Sequence, residues 1–194
     1  MIMRSTNPEI EPGHIRLDGI SIETTRLSLT ALNTRDLDGL SQVLGDKRTA
    51  RMTHAVPHPL THEAAESLLD KMIAAKLTHW AIRLDDTHLI GTISLTGDVC
   101  GKGHGLHSFG PNLSVFIAPD YWGQGYAVEA IEGLLGWVKR RKLHRVVHAA
   151  HFVDNIASAS VLAAADFLYT GRRTMETSLA REGEHQALHM IRIL

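Results

Sequence analysis

One segment constrains the fold more than any other: an apolar run reaches Pro119, a turn with two glycines follows, and an amphipathic helix grows out of it. Pro119-Asp120-Tyr121-Trp122-Gly123-Gln124-Gly125-Tyr126-Ala127-Val128-Glu129-Ala130 reads as strand end, tight turn and helix start. Gly123 and Gly125 remove side chains where a backbone can approach a ligand closely. The first N–H groups of the new helix have no partner within it, and such a turn suits a phosphate group. It is neither of two established phosphate loops. No G-x-x-x-x-G-K-[S/T] occurs, and the third glycine and later acidic residue of a dinucleotide fingerprint are missing.

The remaining pattern surrounds this unit with strands and helices. Residues 1–20 read as an N-terminal arm, with a possible edge strand from Ile15 to Ser21. Ile22 to Leu32 alternates as a strand, and Asn33 or Thr34 can cap a helix to about Leu44. After the break at Pro57 and Pro59, a second helix from Thr61 to about Lys76 carries the stripe Ala65, Leu68, Leu69, Met72 and Ile73. Trp80–Leu84 and His88–Leu95 form a hairpin around Asp85-Asp86-Thr87. Gly97 to Pro111 is a glycine- and histidine-bearing loop, and Leu113–Ala118 is the strand before the turn. Arg145–Phe152 is another strand, Asn155–Ala165 a helix, and Phe167–Met175 with Gln186–Leu194 a terminal hairpin. The order predicts one mixed α/β domain over residues 21–194, without an internal repeat or second-domain linker.

Composition narrows the function classes. Twenty basic residues against 21 acidic ones leave a net charge of −1, so no overall field favours nucleic acid or a membrane surface. The basic run Lys139-Arg140-Arg141-Lys142 falls at a helix C-terminus, where cations oppose the dipole, and no aromatic residues interleave it. No apolar stretch reaches transmembrane length, no signal-like segment opens the chain, and Cys100 is the only cysteine. A cytoplasmic location is the expectation. The 13 histidines do not assemble a metal motif: His54 and His58 flank Val56-Pro57, while His104 and His107 lack a nearby cysteine or carboxylate. No metal is expected.

Trp122, Gly125 and Ala127 occupy the positions of the Q/R-x-x-G-x-G/A signature, so the turn resembles that of the GNAT superfamily of acyl-CoA N-acyltransferases. Trp122 in place of Gln or Arg, with Tyr121-Trp122-Gly123-Gln124-Gly125-Tyr126-Ala127, is similar to the branch of Rim-type ribosomal-protein acetyltransferases. The opening Glu23-Thr24-Thr25-Arg26-Leu27-Ser28-Leu29, the strand pair around Gly91, and the later Asn155, Ser158, Val161 and Leu162 agree in order and spacing. The resemblance implies a GNAT-like, mostly antiparallel sheet with a central splayed parallel pair, Leu113–Ala118 beside Arg145–Phe152, flanked by helices. It implies acetyl-CoA as co-substrate and an amine as acceptor, with the pantetheine arm between the splayed strands. Main-chain groups of Val115, Phe116 and Ile117 would bond that arm. The pyrophosphate would sit on Gly123, Gln124, Gly125, Tyr126, Ala127 and Val128, and Asn155 would cap its helix or touch the pantetheine. A homodimer is implied by the resemblance alone.

Acyl transfer to an amine needs a base, a donor for the oxyanion and help for the departing thiolate. The resemblance places the oxyanion donor on a backbone N–H near Ile117, for which Phe116 is the choice. The tyrosine that many members use on the thiolate is replaced by Leu162, and Ser158 stands as the Rim-branch substitute or as an ordinary first-turn serine. Both familiar glutamates are absent, with Ala150 and Asn112 in their places. His148 shares strand parity with Ala150 and is the candidate base, with a structural polar role as the alternative; imidazole chemistry suits neutral pH. Cys100 has no sequence-local partner to activate it, so transfer is expected to be direct. Two readings remain: an acetyl-CoA-dependent N-acetyltransferase acting on a protein N-terminus or small-molecule amine, or an acyl-CoA-binding sensor or scaffold with little turnover.

Overall fold

A computed structural model describes residues 21–75, 78–84, 88–97 and 110–194. The expected N-terminal arm and most of the 97–111 loop, including Cys100, His104 and His107, lie outside the described residues. The strand expected over Ile22 to Leu32 is two strands, β1 (Ile22–Glu23) and β2 (Ser28–Ala31), which pair with Ile22 opposite Leu29. Thr24 turns the chain between them. Its N–H and hydroxyl donate to the Leu27 carbonyl at 2.9 and 3.1 Å, and its Oγ1 accepts the Leu27 N–H at 3.0 Å.

Asn33 caps the next element, accepting from Arg35 N–H at 3.0 Å while Asp36 accepts the Asn33 N–H at 2.9 Å. A tight turn, Thr34–Asp36, leads into α1 (Leu37–Gly45); α2 (Lys47–Ala50) follows and was not foreseen, four residues being too short for a periodic signal. Thr61 caps α3 (His62–Ala74) through the Ala64 N–H. The chain then builds β3 (Thr78–Arg83), β4 (Leu89–Thr96) and β5 (Asn112–Ile117), and passes through the glycine turn into α4 (Tyr126–Arg140). It closes with β6 (Val146–Phe152), α5 (Ile156–Ala164), β7 (Leu168–Ser178) and β8 (Arg181–Ile193). The terminal hairpin is longer than its apolar pattern because the residues that extend it, 176–178 and 181–185, are mostly polar.

These strands make one eight-stranded sheet in the order β1-β2-β3-β4-β5-β6-β8-β7, antiparallel throughout except for the central β5/β6 pair. Side-chain alternation splits the core between its faces. Trp80, Ile82, Ile93, Leu113, Val147 and Ala149 join Ile131, Leu134 and Val138 of α4 on one side. Ala81 and Phe116 join Leu40, Val43 and Leu44 of α1 and Leu69 of α3 on the other. A buried ion pair, Arg83 to Asp36 at 2.7 Å, ties the start of α1 to the sheet. Its second donor, Arg83 Nε, bonds Thr30 Oγ1 at 2.9 Å, so the buried guanidinium is held by two partners.

Candidate active site

The two parallel strands touch at one end only. Asn112 of β5 lies opposite His148 of β6, and the Pro111 carbonyl accepts the His148 N–H at 2.8 Å; no further register pair joins them. Gly110 makes this junction possible: its φ of +127° excludes most side chains, and a Cβ there would lie 2.0 Å from the Val146 carbonyl oxygen. Beyond the junction the strands diverge, leaving main-chain groups of β5 directed at a gap. Pro111 directs its carbonyl to β6, whereas Ala118 donates its N–H to Ile90 of β4 at 2.8 Å. By strand alternation, the main-chain groups of Leu113, Val115 and Ile117 face the gap, and those of Phe116 face β4.

This alternation corrects the expectation for Phe116. Its main chain belongs to the β4 ladder, opposite Thr92, while its side chain packs on the α1 side of the sheet. The gap-facing donor beside it is Val115 N–H. Ile117 is also changed from the expectation, because its carbonyl accepts the Trp122 indole N–H at 2.7 Å. Trp122 thus closes the end of β5 with a side-chain hydrogen bond.

Past Ile117 the chain makes a second tight turn, Pro119–Tyr121, and then the glycine turn. Gly123 and Gly125 adopt φ of +73° and +81°, a left-handed conformation that costs an ordinary residue about 1–2 kcal/mol. Gly125 is the N-cap of α4 and, having no side chain, leaves the following amides without a side-chain cap. Gly123, Gln124 and Gly125 are exposed, while Ala127 and Val128 turn their side chains into the core. The turn therefore presents amides and the positive end of a four-turn helix to solvent.

Two cations flank it. Arg26 donates Nη1 to the Gln124 carbonyl at 3.1 Å and lies 4.4 Å from the Tyr126 ring centre; Arg48 lies 5.2 Å from the Trp122 ring centre. Arg26 is anchored by Glu129, which accepts its Nε and N–H, each at 2.7 Å, and the Thr24 hydroxyl at 2.7 Å. Burial pushes the Glu129 carboxyl up, but the bonds from Thr24 and Arg26 prevail and hold it below the usual carboxylate value. The β1/β2 turn is in this way fastened to the first turn of α4. No local pattern in the sequence announces either arginine as a neighbour of the turn, since both arrive through tertiary pairing.

Across the gap, Asn155 caps α5 by accepting the Ser158 N–H at 3.0 Å. Ser158 is half-buried in the first turn of that helix. The starts of α4 and α5 thus follow the diverging ends of β5 and β6. His148 lies at the closed end, half-buried, on the face opposite Val147 and Ala149. His151 goes to the other face, buried, with its Nε2 3.0 Å from the Tyr169 hydroxyl. A cavity of about 160 Å³ opens beside His148, lined by Asn112, Thr170, Arg172 and His189 as well. The last three come from the terminal hairpin and were not singled out in the sequence. Among the described residues no group of three or more histidine, cysteine or carboxylate side chains is placed to hold a metal ion. His54 is occupied otherwise, with Nδ1 3.1 Å from the Thr177 carbonyl. Likewise, among the described residues no helix is long and apolar enough to cross a membrane.

Comparison with known proteins gives this half-splayed sheet, with its uncapped glycine turn at the open end, a family. A family model for the acetyltransferase (GNAT) domain matches residues 26–168. The chain belongs to the GNAT acetyltransferase family, and it is an N-acetyltransferase by that membership. A search of curated proteins by sequence finds no match. Several solved structures share the fold. The ribosomal-protein-S5-alanine acetyltransferase of Vibrio fischeri superposes with a TM-score of 0.71 at 18% identity, covering 90% of this chain and 96% of its own. RimL, the ribosomal L7/L12 α-N-protein acetyltransferase solved with coenzyme A, gives 0.71 at 18% identity, with 90% and 98% covered. Spermidine N-acetyltransferase of Vibrio cholerae, solved with coenzyme A and spermine, gives 0.69 at 17% identity, with 87% and 96% covered.

Proposed function

We propose that residues 21–194 form a single domain that transfers the acetyl group of acetyl-CoA directly to a primary amine, on a protein N-terminus or a small molecule. The carrying observation is the pairing of β5 and β6 at Asn112 and His148 alone, followed by the uncapped turn at Gly125. Together they leave a main-chain-lined gap with an anion site at its open end. The residues present fit acetyl-CoA. Amides of Gly123 to Val128 would hold its pyrophosphate with Arg26 and Arg48 nearby, the gap-facing groups of β5 would bond its pantetheine arm, and Asn155 stands at the α5 side.

Acetyl-CoA supplies an activated thioester; the chain supplies position and charge. Val115 N–H, rather than Phe116 N–H, faces the gap and would donate to the acetyl oxygen as negative charge gathers there. His148, at the closed end beside the cavity, would take a proton from the acceptor nitrogen as its bond to the acetyl carbon forms. Ser158, on the opposite rim, would donate its hydroxyl to the sulfur as the carbon–sulfur bond breaks. None of these groups needs to become covalently attached to substrate.

The test is thiol release from acetyl-CoA with a panel of amines, run beside calorimetric titration with acetyl-CoA. Amine-dependent thiol release supports the reading. Tight acetyl-CoA binding with no acceleration by any amine would instead favour an acyl-CoA sensor, and absence of binding would refute both.

A further inference from the structure

The cavity beside His148 says more about the acceptor than the gap does, and this inference rests on the acetyltransferase reading above. We infer that the acceptor is an amine bearing a carboxylate or similar anionic group a few bonds from the reacting nitrogen, and that Arg172 and His189 recognise that group.

Five of the described residues line the cavity: Asn112, His148, Thr170, Arg172 and His189. Among these described residues one is a permanent cation, two are imidazoles, and none is a carboxylate. A polyamine carries further ammonium groups when its first nitrogen reacts, and any that enters the cavity would meet the Arg172 guanidinium. Like charges brought together in a partly enclosed site repel. An anionic group would find the opposite setting. Arginine offers a planar fork of donors matched to a carboxylate, and such charge-assisted bonds are roughly twice as strong as neutral ones.

The placement of Arg172 is built into the hairpin. Tyr169 of β7 lies opposite Met190 of β8, whereas Arg173 lies opposite Leu188, so β7 carries two additional residues between these pairs. The bulge is centred on Gly171, whose φ is +80°, and a bulge re-aims side chains that a regular strand would place elsewhere. Thr170 stabilises it, accepting the Arg172 N–H at 3.2 Å and donating to the His189 carbonyl at 3.1 Å. His189 is oriented separately, its Nε2 lying 2.8 Å from Thr174 Oγ1. It sits opposite Ala150 on β8, one step along the sheet from His148, which is opposite Ile191. Same-face neighbours at this diagonal are about 7–8 Å apart. An acceptor with its amine at His148 would therefore carry its charge across the sheet, toward His189 of β8 and Arg172 of β7.

The anionic group can be the α-carboxylate of a free amino acid or an acidic side chain near a peptide N-terminus. Two matched pairs separate these sources: alanine against alaninamide, and the C-terminally amidated peptides Ala-Glu-Ala and Ala-Gln-Ala, with spermidine as a third arm. The full chain is assayed by thiol release from acetyl-CoA. The anionic member of at least one pair should exceed its neutral partner in kcat/KM by about tenfold, with spermidine below both. Arg172→Gln should bring that ratio close to one, and Arg172→Lys should retain part of it. Equal turnover within both pairs, a preference for spermidine, or an unchanged ratio in Arg172→Gln would overturn the inference while leaving acetyl transfer intact. Failure to acetylate any anionic acceptor, in protein that binds acetyl-CoA by calorimetry, would overturn it as well. Absence of acetyl-CoA binding would remove the underlying acetyltransferase reading instead.

Discussion

Replacing Gly91 by alanine should damage both stability and catalysis, because the position lies where β4 presses on β5. A Cβ at Gly91 would stand 2.3 Å from the Phe116 carbonyl oxygen, 2.8 Å from Ile117 Cδ1 and 3.2 Å from Ile117 Cα. The side-chain contact can relax by rotation, but the carbonyl belongs to the sheet, and separation to an ordinary carbon–oxygen distance requires about 1 Å of strand movement. Overpacking of this kind costs about 1–3 kcal/mol, and a backbone obstacle places it at the upper end. Loss of glycine's freedom in the unfolded chain returns about 0.4–1 kcal/mol. A net loss of about 2 kcal/mol remains, equivalent to a fall in Tm of about 4–8 °C for a chain of this size. Thermal or urea unfolding measures it. Since β5 carries Val115 into the gap, the same displacement should lower kcat by about tenfold or more in protein that remains folded at the assay temperature. Gly45→Ala is the control, because its added Cβ would lie 3.8 Å from Leu60 Cβ, an ordinary contact, at a residue outside the proposed site. A Gly91→Ala protein as stable as wild type, with unaltered turnover, would refute the assignment of β4 as the support that sets the gap.

Four other perturbations follow from the site. Gly125→Glu should abolish acetyl-CoA binding in calorimetry, since the new carboxylate would stand among the amides proposed for the pyrophosphate; unchanged affinity in folded protein would reject the turn as the anion site. Ser158→Ala should lower kcat more than it raises KM, because thiolate charge develops only in the transition state. His148→Gln should change the pH profile of kcat/KM on a fixed amine, and a superimposable profile would assign proton removal to water. Glu129→Gln should cost about 1–3 kcal/mol at neutral pH. The folded Glu129 carboxyl is depressed, so its contribution is present above the unfolded carboxyl value and lost as pH falls through the folded one; the variant's stability should therefore decline less on acidification than that of wild type.

The sequence carried the parts of this structure that depend on neighbours along the chain. Asn33, Thr61 and Asn155 all cap helices through side-chain oxygen atoms, as short polar residues before apolar periodicity suggest. Gly123 and Gly125 stand in the tight turn between strand and helix that the sequence suggests, and both adopt a left-handed conformation there. Residues that act through the sheet were less visible. Phe116 was the wrong neighbour of the gap because alternation of main-chain direction depends on which strand lies on each side, and only the register with Thr92 decides it. Arg26 reaches Gln124 and Glu129 across about a hundred residues of chain, and Arg172 reaches the cavity by a bulge whose register shift leaves no periodic trace. The split of Ile22–Leu32 followed from Thr24 satisfying Leu27, a local bond that competed successfully with an uninterrupted strand.

The one-point junction of β5 and β6 divides the molecule by how each surface can change over evolutionary time. Along the gap, the recognition proposed above would fall to peptide groups, which every residue except proline provides in full, so substitutions on β5 can accumulate without erasing the hydrogen-bonding pattern offered there. The cavity at the closed end is written in side chains, and a change at Arg172, His189 or Asn112 alters its chemistry at once. A chain so arranged can keep one donor of acetyl groups while exploring new acceptors, and its two halves need not drift at the same pace.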